Sequence, residues 1–171
     1  MQKKDAHYRY LIVGGTGMLS PFCQSLKPKE AIIAARFLSH KVQFEAFQKQ
    51  HLCIPLDYDC AALQTQFLEA VSQWHNLKYC ILWIHSSAFA FSCALIEQLA
   101  LLPKPPCILH IFCSNVHDQM ITECARKNKV DFIPIQIGQK TTSKGSRWLT
   151  HQEISQQILD AIKNHMKKQN L

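Results

Sequence analysis

Six short apolar runs recur along this chain, and longer segments of mixed polarity separate them. Tyr10–Val13, Ala31–Ala35, Cys53–Leu56, Tyr79–Ile84, Cys107–Cys113 and Phe132–Ile137 lack the apolar–polar alternation of a half-exposed strand. Strands read this way when both their faces are buried, as in a parallel sheet covered by helices. Between the runs, helical patterning is predicted for Met18–Leu26, Ser39–Gln50, Cys60–Gln73, Phe89–Leu101 and Gln119–Lys127. Strand–helix alternation implies right-handed βαβ units. The expected fold class is therefore α/β: an open, doubly wound parallel sheet of about six strands with helices on both faces. A length of 171 residues predicts one domain over 1–171. Apolar residues make up 47%, enough for one core, and charged residues only 18%, as expected when central elements are buried on both faces.

The last helix carries the clearest local signals. Thr150-His-Gln-Glu153 is a capping box, in which hydroxyl and carboxylate each satisfy an orphan amide. Leu149 and Ile154 are placed for a hydrophobic staple, and Ile154, Ile158, Ala161 and Ile162 form one apolar stripe. Gln139–Ser146 is polar and contains glycine, so it reads as a mobile loop.

The N-terminal segment has no apolar signal-peptide core. The eight cysteines form no Cys-x-x-Cys pair and several sit inside apolar runs, which fits free thiols in a reducing compartment. Tyr79–Leu102 is hydrophobic, but His85, Glu97 and Gln98 make it a strand followed by a helix, and no membrane partner is expected. The expected location is cytoplasmic. The net charge of +7 is concentrated toward both ends of the chain, suggesting an anionic ligand or surface.

The most informative stretch is Leu11-Ile-Val-Gly14-Gly15-Thr16-Gly17-Met18-Leu19-Ser20. A strand runs into a glycine-rich turn and then a helix. Gly14 permits the tight turn, and Gly17 allows backbone to approach a pyrophosphate at free amides. Ser20 replaces a third glycine that usually allows close helix–strand packing. The same residues also fit a strand–helix turn with no ligand. An acidic residue at the end of the second strand would hold the ribose hydroxyls of NAD; here that place is Arg36, and no acid follows until Glu45. A guanidinium pairs with a 2′-phosphate that a carboxylate repels, which favours NADP over NAD, unless Arg36 is simply a solvated strand-end arginine.

Leu11–Leu19 resembles the opening of the short-chain dehydrogenase/reductase superfamily in its atypical or extended form. More narrowly, the chain resembles a group of small bacterial short-chain dehydrogenase-like proteins. The matching pieces are Gly14–Leu19, Arg36, Leu56-Asp57-Tyr58, Trp83-Ile84-His85-Ser86 and Arg147–Thr150 with Glu153-Ile-Ser155, and they span nearly the whole chain. The resemblance implies a Rossmann fold and a nicotinamide cofactor, and the expected strand order is 3-2-1-4-5-6. It implies that Asp57 accepts a hydrogen bond from the adenine amino group while Tyr58 borders the ring; Asp57 or Asp59 also fits a cap for the helix near Cys60. Ile84, His85 and Ser86 would meet the cofactor ribose, mainly through backbone, because the superfamily's Asn-Ala-Gly is missing. Gly138 stands where the superfamily has Pro-Gly near the nicotinamide end. Homodimers are common in the superfamily.

Ser114 falls at the position of the superfamily's substrate-orienting serine. The expected Tyr-x-x-x-Lys proton-donor dyad is missing: no tyrosine follows Tyr79, and Lys127 and Lys129 have no partner phenol. The catalytic residues are thus unknown from the sequence; Ser114 and His117 are candidates, His117 as a substitute general acid near neutral pH. His110, Cys113 and His117 are not expected to make a metal site, since His110 and Cys113 in a strand project to opposite faces. The chain continues only 33 residues beyond Gly138, so a substrate pocket would be shallow or completed by a partner. The expected function is an NADP-binding oxidoreductase of unknown substrate. The alternative is a non-catalytic dinucleotide-binding redox sensor or regulatory protein. Nucleic-acid binding is not expected, for want of an aromatic–basic stripe, recognition helix or zinc spacing.

Overall fold

The computed structural model describes residues 8–36, 41–84, 88–113, 115–143 and 145–169. The chain alternates strand and helix from end to end: β1 (Tyr10–Val13), α1 (Ser20–Ser25), β2 (Ala31–Ala35), α2 (Lys41–Gln48), β3 (Leu52–Pro55), α3 (Ala61–Val71), β4 (Tyr79–Leu82), α4 (Phe89–Ala100), β5 (Cys107–Phe112), α5 (Asn115–Lys127) and β6 (Phe132–Gln136). A short ribbon, β7 (Gln139–Thr142) and β8 (Gly145–Trp148), then leads into α6 (His151–Gln169). Strands β1 to β6 form one parallel sheet of order β3-β2-β1-β4-β5-β6. The α/β, doubly wound architecture and its strand order match the expectation from the sequence.

The missing polar alternation has a direct cause. Along β1, Leu11 and Val13 pack into one core layer, while Tyr10 and Ile12 pack into the other. β2 divides Ile32 and Ala34 from Ala31 and Ile33, and β4 divides Cys80 and Leu82 from Tyr79 and Ile81. The first layer is closed by α3, α4 and α5 through Phe67, Leu95, Leu99 and Ile121; the second by α1, α2 and α6 through Phe22, Phe47 and Ile158. Each fully buried side chain of this size contributes about 1.5–3 kcal/mol, so both layers are needed to hold the sheet. Tyr79–Leu102 is indeed a strand and then a helix. No helix among the described residues is long and apolar enough to cross a membrane. All eight cysteines are free thiols.

Two expectations need correction. Gln139–Ser146 is not a mobile loop: Gln139 pairs with Trp148 and Thr142 with Gly145 across an antiparallel ribbon. Gly145 turns it at a φ of +115°, a region glycine enters without a Cβ clash. Helix α5 begins at Asn115, four residues before the predicted Gln119.

The capping box forms as drawn. The Thr150 amide donates to Glu153 Oε2 at 2.9 Å, and the Glu153 amide donates to Thr150 Oγ1 at 3.2 Å. The Glu153 carboxylate also accepts both terminal nitrogens of Arg147, at 2.7 and 2.9 Å, and Lys140 Nζ at 3.2 Å. Arg147 first, then the Thr150 amide, hold this carboxyl well below the usual carboxylate range. A depressed carboxyl adds stability that is complete above its unfolded pKa, about 4.3, and is lost as pH falls through the folded value. Thermal unfolding should therefore show a midpoint that drops steadily below about pH 4.5, and Glu153→Gln should flatten that acid slope while lowering the midpoint at pH 7.

Candidate functional site

Because the sheet is parallel, the carboxyl ends of all six strands open on one edge, where connecting loops gather and open α/β sheets hold ligands. The strand order reverses beside β1, and the glycine turn lies at that reversal.

Its three glycines do different work. Gly14 has a φ of +86°, and a Cβ there would lie 2.1 Å from the Trp83 carbonyl oxygen at the end of β4. Gly15 packs against Cys23 Sγ and the Ile12 and Ile33 side chains, where a Cβ would meet atoms at 3.0–3.1 Å. Gly17 has nothing within 4 Å of its Cβ position. Gly14 and Gly15 are thus explained by packing alone, whereas Gly17 faces open space among the described residues. Thr16 is buried, and Leu19 and Met18 anchor the turn in the second core layer. Among the described residues, no backbone hydrogen bond uses the amides of Gly15, Thr16, Gly17 or Met18. Helix α1 that follows is a single six-residue piece with Pro21 in its first turn, so the turn's own amides are the main donors here.

Arg36 is exposed immediately after β2, and no ion pair engages it among the described residues. Its charge reaches Tyr58, partly offsetting the burial that pushes the Tyr58 phenol up to about 12. Tyr58 is held over α4 by Phe91, with ring centroids 5.6 Å apart, and the Gln64 amide donates to its carbonyl. Asp57 uses Oδ1 to accept the Asp59 amide at 3.1 Å, and its carbonyl accepts the Cys60 amide. The carboxylate of Asp57 therefore shapes the turn before α3; the N-cap itself is Cys60, without a side-chain cap. Arg36, Asp57 and Tyr58 follow the neighbouring strands β2 and β3 on the same edge.

Ile84 is partly buried at the first core layer, two residues after β4. Gly138 follows β6, open at its Cβ position, and its carbonyl accepts the Leu149 amide at 3.2 Å. His85, Ser86 and Ser114, and the side chain of His117, lie outside the described residues.

The sequence reading missed a cleft of about 630 Å³ at the other end of the edge, bordered by Cys113, Ile137, Gly138, Lys140, Trp148 and Glu153. The β7–β8 ribbon forms one wall. The sequence signals were Gly145 between two short polar runs, Gly138, and the Arg147–Thr150 and Glu153 pieces of the resemblance.

No family model matches the sequence, and comparison with curated proteins finds no match. Solved structures do match. The binary complex of leucoanthocyanidin reductase with NADPH from Vitis vinifera gives a TM-score of 0.53 at 13% identity, covering 75% of this chain and 49% of that one. AtPrR2 in its apo form gives 0.54 at 13% identity, covering 75% of this chain and 48% of that one. The chain spans about half the length of either structure. This likeness shows the fold: the protein has the Rossmann-like α/β architecture of these neighbours.

Proposed function

We propose that residues 1–171 form one dinucleotide-binding domain that takes NADP in preference to NAD and serves an oxidoreductase. The observation that carries this reading is the Gly14–Leu19 turn. Its amides are unused, and the Cβ position of Gly17 is unfilled, among the described residues. That is the cradle a pyrophosphate fits, at the reversal of strand order. The NADPH complex of the Vitis vinifera neighbour supports the choice of a nicotinamide dinucleotide. Arg36 would hold the 2′-phosphate, Asp57 and Tyr58 would border the adenine, and Ile84, His85 and Ser86 would follow the ribose. When bound, the nicotinamide supplies the hydride. The chain's own residues bind and orient it, with Gly138 leaving room beside β6.

The missing tyrosine after Tyr79 favours a second reading, a non-catalytic redox sensor. Under the catalytic reading Ser114 orients substrate and His117 donates the proton. NADPH consumption with a carbonyl panel separates the two: turnover abolished by His117→Ala supports catalysis, and binding without turnover supports the sensor.

The two outer glycines of the turn give a paired test. Gly14→Ala should lower the unfolding midpoint by more than 5 °C with or without ligand, because strain of about 1–3 kcal/mol adds to the clash with Trp83. Gly17→Ala should unfold within about 2 °C of the parent but lose most of its stabilisation by NADPH. Equal stability losses in both variants, with NADPH stabilisation retained in Gly17→Ala, would make the turn purely structural.

NADPH at 100 times its dissociation constant stabilises by about 2.7 kcal/mol, a midpoint rise of roughly 5–10 °C. NADH at the same concentration should give less. Arg36→Ala should weaken NADPH binding by about tenfold or more, since hydrogen bonds to charged groups are worth about 1.5–3 kcal/mol, and leave NADH unchanged. Equal shifts with NADPH and NADH in the parent would remove Arg36 from the site.

A further inference from the structure

Lys140 and Arg147 stand directly opposite each other in the β7–β8 ribbon, a like-charge pair that destabilises a ribbon unless something offsets it. Glu153 at the start of α6 offsets it, and the geometry of its carboxylate is crowded. Five donor contacts converge on two oxygens: two from Arg147, the Thr150 amide and hydroxyl, and Lys140 Nζ. An ionised carboxylate offers about four lone-pair sites. Arg147 is bidentate and short, whereas Lys140 makes one contact at 3.2 Å and remains half-exposed. Lys140 is therefore the surplus cation of the group, and it borders the cleft of about 630 Å³.

Residues of both ribbon faces border that cleft. Gln139 and Trp148 come from one face, Lys140 from the other. Trp148 is 60% exposed, a large apolar ring standing at the rim. Leu149 and Ile137 add apolar wall, and Gly138 keeps the floor beside β6 open. The volume lies within the range of small-molecule sites. The cleft and the glycine turn share one edge of the sheet, separated by the three strand spacings from β1 to β6, about 14 Å.

We propose that this cleft binds an aromatic carboxylate of one or two rings, with Lys140 pairing its carboxylate and Trp148 covering its ring. The proposal rests on the dinucleotide reading, because it makes the acid the second ligand of the same edge. A carboxylate ligand takes over one of the two longest of the five contacts at Glu153 and gives Lys140 an acceptor of its own. Aromatic faces and a nearby cation are what such an acid requires.

Equilibrium dialysis of the full chain with 2-naphthoate and with its uncharged counterpart 2-naphthamide tests this, with and without saturating NADPH. Naphthoate should bind at least tenfold tighter than naphthamide. Lys140→Gln should erase that preference, and Trp148→Ala should weaken both probes severalfold; both variants should keep the parent's fold by circular dichroism and its NADPH-induced midpoint shift. No naphthoate binding, or binding unchanged in both variants, would overturn the proposal even where NADPH still stabilises the protein. Naphthoate binding that responds to Lys140 and Trp148, in a protein that NADPH does not stabilise, would keep the cleft and overturn the dinucleotide reading instead.

Discussion

Where β1 ends there is no room for a side chain. A Cβ on Gly14 would stand 2.1 Å from the Trp83 carbonyl, because β4 runs in register beside β1 and carries its backbone over the turn. The Trp83 amide in turn donates to the Val13 carbonyl at 3.0 Å, so the two strand ends lock together. The chain must leave β1 through a glycine with positive φ, and that exit direction sets where α1 starts and which way the following amides point. Every later feature of the edge is placed relative to this contact: β2 and β3 on one side with Arg36, Asp57 and Tyr58, and β5 and β6 on the other with the cleft.

The two sides of that edge differ in chemistry. The β2–β3 side presents a guanidinium with no ion pair among the described residues beside a half-buried phenol, while the β5–β6 side presents a crowded carboxylate with a surplus ammonium and an exposed indole. Both sides carry positive charge, which gives the net charge of +7 a local meaning that composition did not supply. The same Glu153 that caps α6 also ties the ribbon to that helix. Helix stability and the shape of the cleft wall therefore depend on one carboxylate.

The sheet was legible because two-sided burial writes itself into the sequence as unbroken apolar runs. β1 and β2 keep the bounds the pattern indicates. The edge strand β3 starts a residue earlier than its apolar run, since only partial burial marks it. The ribbon was illegible for the opposite reason: every residue of β8 and three of four in β7 are exposed, so no face is apolar and no periodicity appears. The glycine turn was recognisable as a turn, yet the division of labour within it was not. That Gly14 and Gly15 are demanded by Trp83, Cys23 and Ile33, and Gly17 by nothing among the described residues, depends on side chains far apart in sequence.

Backbone amide resonances recorded during NADPH titration address the central assignment residue by residue. The structure predicts the largest changes at Gly15, Thr16, Gly17 and Met18, with smaller ones after β2 at Arg36 and none at Asp131, which lies on the opposite edge of the sheet. Changes confined to other parts of the chain, with the turn amides unmoved at saturation, would contradict a dinucleotide site at this turn.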